Sequence, residues 1–423
     1  MTQAQALAIL ENGDCVLLTG AAGTGKTYLL NKFIKRARKA GKNVAVTATT
    51  GLAATHLNGT TIHAWSGIGI HDQLPPNFSE KMSKQRRELI NKADILIIDE
   101  ISMLHDYRLD MVNEALQRAR KSTAPFGGIQ VVLSGDFFQL PPVNRGDARQ
   151  GGFIHESMVW QDQIFTVCYL LEQYRQANDT AYNDILNGIR SGELRPSQIQ
   201  ALEARKDAIE DPFTPRTRLL TTNANVDAIN LQHLNALEGE VHTYQMDSSG
   251  GKQYVETLKR SCLAPEVLQL KKNAVVMCIK NAANKTYANG SLGTVVNFQQ
   301  GTGYPIIELI NGKTIMMLPD SWELRDGDKK RASLSQFPLR LAWAITVHKS
   351  QGMTLDSARI DLSNAFVEGM GYVALSRVRG FKDLILDGMN GMALRTSPVA
   401  RQIDESLRKA SNQALRQHEA LVS

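Results

Sequence analysis

The sequence predicts an α/β protein of two lobes, with a small β-barrel inserted into the second lobe. From 1 to 166, apolar strands alternate with amphipathic helices, a pattern typical of a lobe built on a parallel sheet. The same alternation at 167–258 and 338–397 predicts a second such lobe. Between these segments, at 259–337, short strands separated by Gly, Asn and Asp turns favour a small barrel. An amphipathic helical tail is predicted at 398–423.

Composition limits the class of protein before any motif is considered. Apolar residues make up 43% of the chain and charged residues 21%, as in ordinary globular proteins. The absence of a run of about 18 apolar residues excludes a membrane-spanning helix. The first residues resemble neither a signal nor a transit peptide, which predicts the cytoplasm or nucleoid for a bacterial or viral protein and the nucleus or mitochondrion for a eukaryotic one. The net charge of +6 permits a nucleic-acid partner without demonstrating one.

A glycine-rich loop follows the first predicted strand and precedes an amphipathic helix. Backbone N–H groups in such a loop surround phosphates, a lysine neutralises the β- and γ-phosphates, and a hydroxyl binds Mg²⁺. A chance glycine-rich turn is the alternative, but the strand before the motif and the helix after it favour a phosphate site. The complete GxxxxGK[ST] pattern consists of Gly20, Ala21, Ala22, Gly23, Thr24, Gly25, Lys26 and Thr27.

Two later strands end in residues suited to nucleotide hydrolysis. The apolar run from Ile95 ends in Asp99, expected to hold Mg²⁺, and Glu100, expected to orient or deprotonate the attacking water. A strand that merely ends in two surface acids is the alternative. Gln139 follows another apolar strand and is placed to contact the γ-phosphate. Together with the glycine-rich loop, these residues predict hydrolysis of a nucleoside triphosphate with Mg²⁺ as cofactor.

The second half of the chain has no further GxxxxGK[ST] motif, and its conspicuous blocks are 346–354 and 372–379. An arginine in such a half can act as an arginine finger if two lobes close over one nucleotide. Closure would then depend on ATP and reopening on hydrolysis, which suits movement along a polymer.

These blocks, in this order, resemble those of superfamily 1 helicases, and most closely the Pif (petite integration frequency) family, which is related to RecD-type helicases. The diagnostic stretch runs from Asp110 to Val143 and contains Pro125–Gln130. The resemblance covers the chain from Thr2 to about Gly388. It implies two RecA-like P-loop lobes and an ATP-dependent 5′-to-3′ DNA helicase in replication, recombination or repair. Such a protein translocates on single-stranded DNA and unwinds duplex or forked DNA, and a monomer in solution is expected.

The resemblance also implies roles at the nucleotide for residues outside the glycine-rich loop. Gln5 matches the glutamine that reads adenine, with Gln3 as a neighbouring choice of register. Arg175 matches an arginine that faces the phosphates from the second lobe, and Arg377 matches the arginine of the final motif. Surface salt bridges are the alternative for both arginines. The nucleotide-sensing part of the preceding motif matches Gln351 and Gly352.

Contacts with single-stranded DNA are implied in both lobes. Hydroxyl side chains and backbone N–H groups suit phosphates without preference for a base. A buried histidine with satisfied hydrogen bonds is the alternative for His63. The matching positions are Thr49, Thr50, Thr61 and His63 in the first lobe, and Asn223, Asn281, Asn289, Thr346, His348 and Lys349 in the second.

Residues 66–88 lie where the family has a small wedge that parts the duplex. A loop stiffened by Pro75 and Pro76, with an exposed Phe78, would stack on the first base pair. An ordinary surface loop is the alternative. A wedge also separates two hypotheses for the whole chain, because an ATP-switched protein that grips single strands without unwinding needs none. A P-loop ATPase acting on protein partners is a third hypothesis.

Overall fold

The structure, a computed structural model, describes the chain except for residues 58, 70, 145–148, 208–215, 223–225, 283–285, 327–328 and 423. The described residues form two units. Unit 1 contains residues 1–174, 324–330 and 397–423, and unit 2 contains residues 175–323 and 331–396. Within the described parts of the chain, no helix is long and apolar enough to cross a membrane.

Unit 1 is built on a six-stranded parallel sheet. Its strands are β1 (Val16–Gly20), β2 (Val44–Ala48), β3 (Thr60–Thr61), β4 (Ile95–Asp99), β5 (Gln130–Gly135) and β6 (Thr166–Leu170), in the spatial order β3-β2-β4-β5-β1-β6. β1 and β4 are buried along their whole length, as expected for parallel strands covered on both faces. The carboxyl ends of these central strands therefore lie side by side at one edge of the sheet.

The helices of unit 1 follow from capping residues and apolar stripes in the sequence. The first helix begins with a capping box between Thr2 and Gln5 and ends at Gly13, whose φ of 98° suits glycine. The second helix packs Leu30 and Phe33 into the core beside β1. These helices are α1 (Gln3–Asn12), α2 (Lys26–Lys39), α3 (Gly51–His56), α4 (Ile62–Ser66), α5 (Phe78–Lys81), α6 (Lys84–Lys92), α7 (Asp106–Arg120) and α8 (Met158–Asp162).

Strand β6 corrects the predicted boundary between the lobes. The sequence predicts that the second lobe starts at Val167, whereas β6 pairs with β1 in register Val16↔Thr166 to Gly20↔Leu170 and unit 1 continues to Tyr174. An apolar run predicts a strand but carries no information on which sheet the strand joins. The prediction is therefore wrong by one strand.

Unit 2 contains a four-stranded parallel sheet and an antiparallel insertion. The parallel sheet has the order β18-β7-β19-β20, and the main insertion sheet is antiparallel in the order β14-β13-β12-β11-β17. The strands between residues 217 and 389, of which β15 and β16 include residues of the 324–330 segment, are β7 (Thr217–Leu220), β8 (His242–Gln245), β9 (Asp247–Gly250), β10 (Val267–Leu270), β11 (Val275–Cys278), β12 (Leu292–Phe298), β13 (Pro305–Leu309), β14 (Thr314–Met316), β15 (Asp320–Asp326), β16 (Lys329–Gln336), β17 (Leu339–Leu341), β18 (Ala344–Thr346), β19 (Ala358–Leu362) and β20 (Leu384–Met389). The helices are α9 (Thr180–Ser191), α10 (Pro196–Glu203), α11 (Val226–Ala236), α12 (Lys252–Ser261) and α13 (Met370–Leu375).

The insertion sheet has its own hydrophobic core. Val276, Val295, Ile307 and Leu339 are fully buried and belong to one cluster. β17 supplies Leu339, although it lies beyond the predicted insertion at 259–337. Two smaller sheets, β15-β16-β9 and β10-β8, complete the strands of the described chain; β16 runs antiparallel to β9, and β10 runs antiparallel to β8.

Two C-terminal helices, α14 (Pro398–Gln417) and α15 (Glu419–Val422), belong to unit 1. α14 packs along the edge strand β6, where the backbone N–H of Tyr169 donates to Ser411 Oγ at 3.1 Å. The Tyr169 hydroxyl donates to Asp404 at 2.6 Å, and Arg408 lies over the same ring at 4.5 Å. The predicted helical tail at 398–423 thus packs against β6 and covers that edge of the unit 1 sheet.

Candidate nucleotide site and single-strand-binding residues

The glycine-rich loop connects β1 to α2 and needs glycine at several positions. Gly20, Gly23 and Gly25 have φ values of 145°, 89° and 81°, which other residues rarely adopt. A side chain on Gly20 would also begin 2.6 Å from the carbonyl oxygen of Leu170. The loop therefore owes its tight curvature to these glycines, and α2 begins directly after it.

Lys26 fills the centre of this loop. Its Nζ donates to the carbonyl oxygens of Gly20 at 2.8 Å and Ala21 at 3.1 Å. The Thr24 hydroxyl donates to the same Ala21 carbonyl at 2.9 Å. A positive charge and the first turn of a helix thus meet at one point, which is the arrangement that binds phosphate groups.

The two acids predicted from the sequence lie at the end of β4, in the middle of the sheet. Burial raises the pKa of the Asp99 carboxyl, and the positive charge of Lys26 opposes this rise. Glu100 has a φ of 56°, a left-handed conformation that costs free energy for a residue with a side chain. Such local strain is typical of functional positions, and here it sets the direction of the chain beyond Asp99.

The residues present fit a magnesium ion that also binds phosphate. Asp99 supplies one buried carboxylate, and Thr27 is exposed in the first turn of α2. No cluster of three or more His, Cys, Asp and Glu side chains suited to a metal occurs within the described ranges. This donor set matches Mg²⁺, which typically takes one or two protein ligands and completes its shell with phosphate oxygens and water.

Gln139 follows the end of β5, beside β1 and β4. It is 6% exposed, and its backbone N–H donates to the Asp136 carbonyl at 3.0 Å. The Thr19 hydroxyl donates to the Gly135 carbonyl at 3.0 Å and ties the end of β1 to the end of β5. The structure thus brings the glycine-rich loop, the two acids and this glutamine to the same edge of the unit 1 sheet.

The neighbourhood of the loop differs from the prediction at the two N-terminal glutamines. Gln5 Oε1 accepts from the Thr2 backbone N–H at 3.0 Å as part of the capping box of α1. Gln3 Nε2 donates to the Thr24 carbonyl at 3.1 Å and occupies the space beside Gly25. Of these two glutamines, Gln3 is the one with a hydrogen bond to the glycine-rich loop, and the adenine role of Gln5 stays a prediction.

Two residues that the sequence analysis did not single out also contact the loop. Gln173 Nε2 donates to the Ala22 carbonyl at 2.6 Å, and the Tyr174 N–H donates to the Gly23 carbonyl at 3.0 Å. Tyr174 is 53% exposed, and its ring lies 3.5 Å from the position where a side chain on Gly25 would begin. Both residues directly precede Arg175, so the motif that pointed to the arginine contained the signal for them.

The predicted arginines of unit 2 converge on the end of α13. Arg175 Nη1 donates to the Ser376 carbonyl at 2.7 Å. Arg377 is 2% exposed and donates from Nε to the Val373 carbonyl at 2.8 Å and from Nη2 to Ser376 Oγ at 2.8 Å. Neither arginine is thus an ordinary surface residue. Gln351 is likewise buried, and Gly352 has a φ of 78°.

The predicted DNA-contacting residues of unit 1 lie at the ends of β2 and β3, which are neighbours. The Thr49 N–H donates to the Asp99 carbonyl at 3.1 Å, and its hydroxyl donates to the Glu100 carbonyl at 2.9 Å. The hydroxyls of Thr50 and Thr61 accept backbone N–H groups at the starts of α3 and α4. Thr49 thus links this region directly to the two acids.

His63 is held uncharged by its surroundings. Burial lowers its pKa to about 4, and the positive charge of Arg108 acts in the same direction. The imidazole is therefore neutral at pH 7 and offers hydrogen bonds rather than a charge.

Phe78 requires a correction. The sequence predicts an exposed ring, but Phe78 is only 8% exposed at the start of α5, which packs on α7. Tertiary packing decides the exposure of an isolated aromatic residue, and the local sequence cannot. The buried ring is unsuited to stack on a base pair in this conformation.

The predicted DNA-contacting residues of unit 2 that the structure describes lie in or near the block 346–354. Thr346 Oγ1 accepts the Lys349 N–H at 3.2 Å, and burial lowers the pKa of His348. The His348 ring is parallel to within 19° of Phe366, which is 60% exposed and was not predicted. Asn281 accepts the Asn289 N–H at 2.8 Å, and Gly290 packs closely on the Thr354 carbonyl. Asn223 lies outside the described residues.

The geometry of unit 1 defines a P-loop nucleoside triphosphatase built on a parallel sheet. Family profiles give a narrower result: the profile described as PIF1-like helicase matches residues 2–198, and that of the DNA helicase Pif1 2B domain matches residues 253–298. An ATP-dependent DNA helicase Pif1 from Psychrobacter sp. (strain PRwf-1) is 41% identical over 98% of this chain and 72% of its own. The chain belongs to the PIF1-like helicase family.

Solved structures agree with this assignment and with the predicted fold class. The structure of Bacteroides sp Pif1 in complex with ADP-AlF4 has a TM-score of 0.85 and 31% identity over 97% of this chain and 98% of that one. The Bacteroides Pif1 helicase in complex with ADP-AlF3 and single-stranded DNA has a TM-score of 0.66 and 31% identity, with the same coverage of both chains. The α/β prediction of RecA-like lobes with an inserted antiparallel domain is confirmed.

Proposed function

We infer that this chain is an ATP-dependent DNA helicase that moves 5′-to-3′ along single-stranded DNA and unwinds duplex or forked DNA. The observation that carries this inference is Thr49. Through its N–H and its hydroxyl it joins the predicted DNA-contacting segment to the carbonyls of Asp99 and Glu100. A change at the hydrolysis site thus has a direct structural route to the DNA-binding residues of the same lobe. We propose that the protein acts as a monomer and is located where the cell's DNA lies.

The nucleotide site divides the work of hydrolysis among few residues. Lys26 neutralises the β- and γ-phosphates, Glu100 orients or deprotonates the attacking water, and Gln139 contacts the γ-phosphate. Asp99 and Thr27 would hold Mg²⁺, which neutralises developing charge on the phosphates when it is bound. Gln5 remains our proposal for reading adenine.

Arg175 and Arg377 are proposed to act on the phosphates, and Gln351 and Gly352 to respond to their presence. The burial of Arg377 supports this role. Removing a guanidinium from water costs free energy, and an arginine that only formed a surface salt bridge would avoid this cost. Its hydrogen bonds to the end of α13 fix the fork of the side chain. A fixed guanidinium is what an arginine finger requires.

Contacts with DNA are proposed for the hydroxyl, amide and imidazole groups of both lobes. In the first lobe, the proposed residues are Thr49, Thr50 and Thr61. Neutral His63 can serve there as a hydrogen-bonding group. In the second lobe the proposed residues are Asn223, Asn281, Asn289, Thr346, His348 and Lys349. Residues 66–88 are proposed to part the duplex, without base stacking by Phe78 because that ring is buried.

Polarity is tested with matched duplexes that carry a single-stranded tail at either the 5′ or the 3′ end. We expect ATP-dependent strand separation only with the 5′ tail. Separation only with the 3′ tail would retain the motor but contradict the polarity. Hydrolysis stimulated by DNA with no separation of either substrate would favour the alternative, an ATP-switched protein that grips single strands without unwinding them.

Tyr174 is expected to stack on the nucleotide base, because its exposed ring lies beside Gly25 at the start of α2. Base–aromatic stacking is typically worth about 1–3 kcal/mol, so Tyr174→Ala should raise the KM for ATP by roughly tenfold with little change in kcat. Tyr174→Phe is the matched control, since it keeps the ring and loses only the hydroxyl bonded to Glu172. Steady-state ATPase assays measure both constants, and an unchanged KM in Tyr174→Ala would exclude the stack.

A further inference from the structure

Asp72 stands at the start of the segment that leads into α5 and joins three parts of unit 1. Its Oδ1 accepts the Tyr107 hydroxyl at 3.2 Å and Arg108 Nη2 at 3.1 Å, both at the start of α7. Its Oδ2 accepts the Arg149 backbone N–H at 3.2 Å. The Arg149 guanidinium lies over the Tyr107 ring at 4.5 Å. We call Asp72, Tyr107, Arg108 and Arg149 the Asp72 cluster.

Arg149 belongs to the chain that follows Gln139, and this chain is docked on α7 by further bonds. Asn144 Oδ1 lies 3.2 Å from His105 Nε2 and accepts the Gly151 N–H at 3.1 Å. The Gly152 N–H donates to Asp106 Oδ1 at 3.0 Å. Asn144, Arg149 and Gly152, which follow the proposed γ-phosphate-contacting glutamine in the chain, are thus held at the start of α7, where the Asp72 cluster lies.

α7 also holds the rest of the proposed wedge at 66–88, called the insertion from here on, and the end of α6. Arg118 Nη1 lies 3.4 Å from the carbonyl oxygens of Pro75 and Pro76, and Arg120 Nη1 donates to the Ile90 carbonyl at 3.0 Å, at the end of α6. These bonds attach the insertion to α7 alone. The Asp72 cluster differs from these bonds because it attaches the insertion to two elements. Asp72 contacts Tyr107 and Arg108 of α7, and it also accepts the N–H of Arg149, which follows Gln139 in the chain.

We propose that Asp72 is a positioning residue that couples the γ-phosphate-contacting segment to the insertion that parts the duplex. This inference rests on the proposed helicase function. The Asp72 carboxylate accepts the Arg149 N–H, and the Tyr107 hydroxyl orients this carboxylate. If hydrolysis displaces the chain that follows Gln139, the hydrogen bond that holds Asp72 at the start of the insertion changes with it. Asp72 touches neither nucleotide nor DNA in this role.

We expect the Asp72 carboxylate to contribute little to folding, and this makes the proposal testable. The Asp72 and Arg108 side chains are 36% and 14% exposed, and ion pairs near the surface typically add little stability. Removing the carboxylate should therefore leave unit 1 folded while it releases the start of the insertion. Loss of coupling can then be measured separately from loss of structure.

The test compares Asp72→Ala with Glu80→Ala, which removes an exposed acid from α5 in the same insertion. The rates measured are strand separation on a 5′-tailed duplex and ATP hydrolysis on single-stranded DNA. For Asp72→Ala we expect about fivefold fewer base pairs opened per ATP, in the range found for coupling residues, with hydrolysis and melting temperature close to wild type. Glu80→Ala should behave as wild type. Equal losses of unwinding and hydrolysis, or unchanged unwinding, would overturn the proposal.

A double-mutant cycle with Tyr107→Phe tests the specific contact. The Tyr107 ring is buried and only its hydroxyl reaches Asp72, so the Phe variant keeps the packing. We expect the double variant to unwind no more slowly than Asp72→Ala alone, because both changes break one contact. Additive losses would contradict the proposed route. Failure of the wild-type protein to unwind any tailed duplex would instead refute the helicase function itself.

Discussion

Replacement of Lys26 by Ala should abolish measurable ATP hydrolysis while single-strand binding is retained. The ammonium group lies in the centre of the glycine-rich loop, bonded to the Gly20 and Ala21 carbonyls, where it can move onto the phosphates of a nucleotide. Loss of one such electrostatic contact in a preorganised site typically costs about 10²–10³ in rate. DNA-stimulated phosphate release measures the first effect, and fluorescence anisotropy with a labelled oligonucleotide measures the second.

Lys35→Ala is the matched control for this experiment. Lys35 is an exposed lysine on the same helix, so its removal changes the net charge equally but leaves the loop intact. Hydrolysis by this variant should stay near the wild-type rate. If Lys26→Ala lost DNA binding and hydrolysis to the same degree, with a lower melting temperature, the variant would be misfolded. Equal losses without destabilisation would mean that the site is wrongly assigned.

Arg377→Ala should bind ATP and hydrolyse it at least about 10³-fold more slowly, which is the range for arginine fingers. Arg377→Lys should also be slow, because lysine keeps the charge but lacks the planar fork that donates two bonds to one phosphate. The side chain is buried at the end of α13, and the lysine variant therefore also limits the packing defect. Single-turnover hydrolysis and equilibrium nucleotide binding are the two measurements.

Arg379→Ala supplies the comparison for Arg377. Arg379 is 53% exposed and pairs with Asp356, so its removal tests the loss of a surface arginine from the same segment. We expect nearly normal turnover for this variant. Nearly normal turnover in Arg377→Ala as well would remove Arg377 from the nucleotide site. Lost ATP binding together with a lowered melting temperature would assign it a structural role.

The contiguous motifs could be recognised in the sequence because their chemistry and their geometry come from the same few residues. Gly20 and Gly25 are required by positive φ angles, and the apolar run before Asp99 is buried because both faces of a parallel sheet are covered. Short strands such as β11 and β12 were also predictable from turn residues on either side. Local rules are sufficient for such elements.

The missed features depend on contacts between distant segments. Gln3 and Tyr174 reach the glycine-rich loop from opposite ends of the segment 1–174, and their sequence positions, although close to Gln5 and Arg175, do not reveal these contacts. Gln5 is partly an exception, since Thr2 and Gln5 have the spacing of a capping box, which could have been predicted. Phe78 is buried only because α7 lies beneath it.

The cover of β6 by α14 makes the first lobe a discontinuous domain. A fragment that ends at Tyr174 would remove α14 from the outer edge of β6 and leave the Tyr169 N–H without its acceptor Ser411, although the Tyr169 carbonyl would keep the N-terminal amine of Met1 as its donor. Exposed strand edges of this kind promote aggregation. An isolated first lobe for biophysical work should therefore join residues 1–174 to residues 397–423 through a linker, instead of simply truncating the chain.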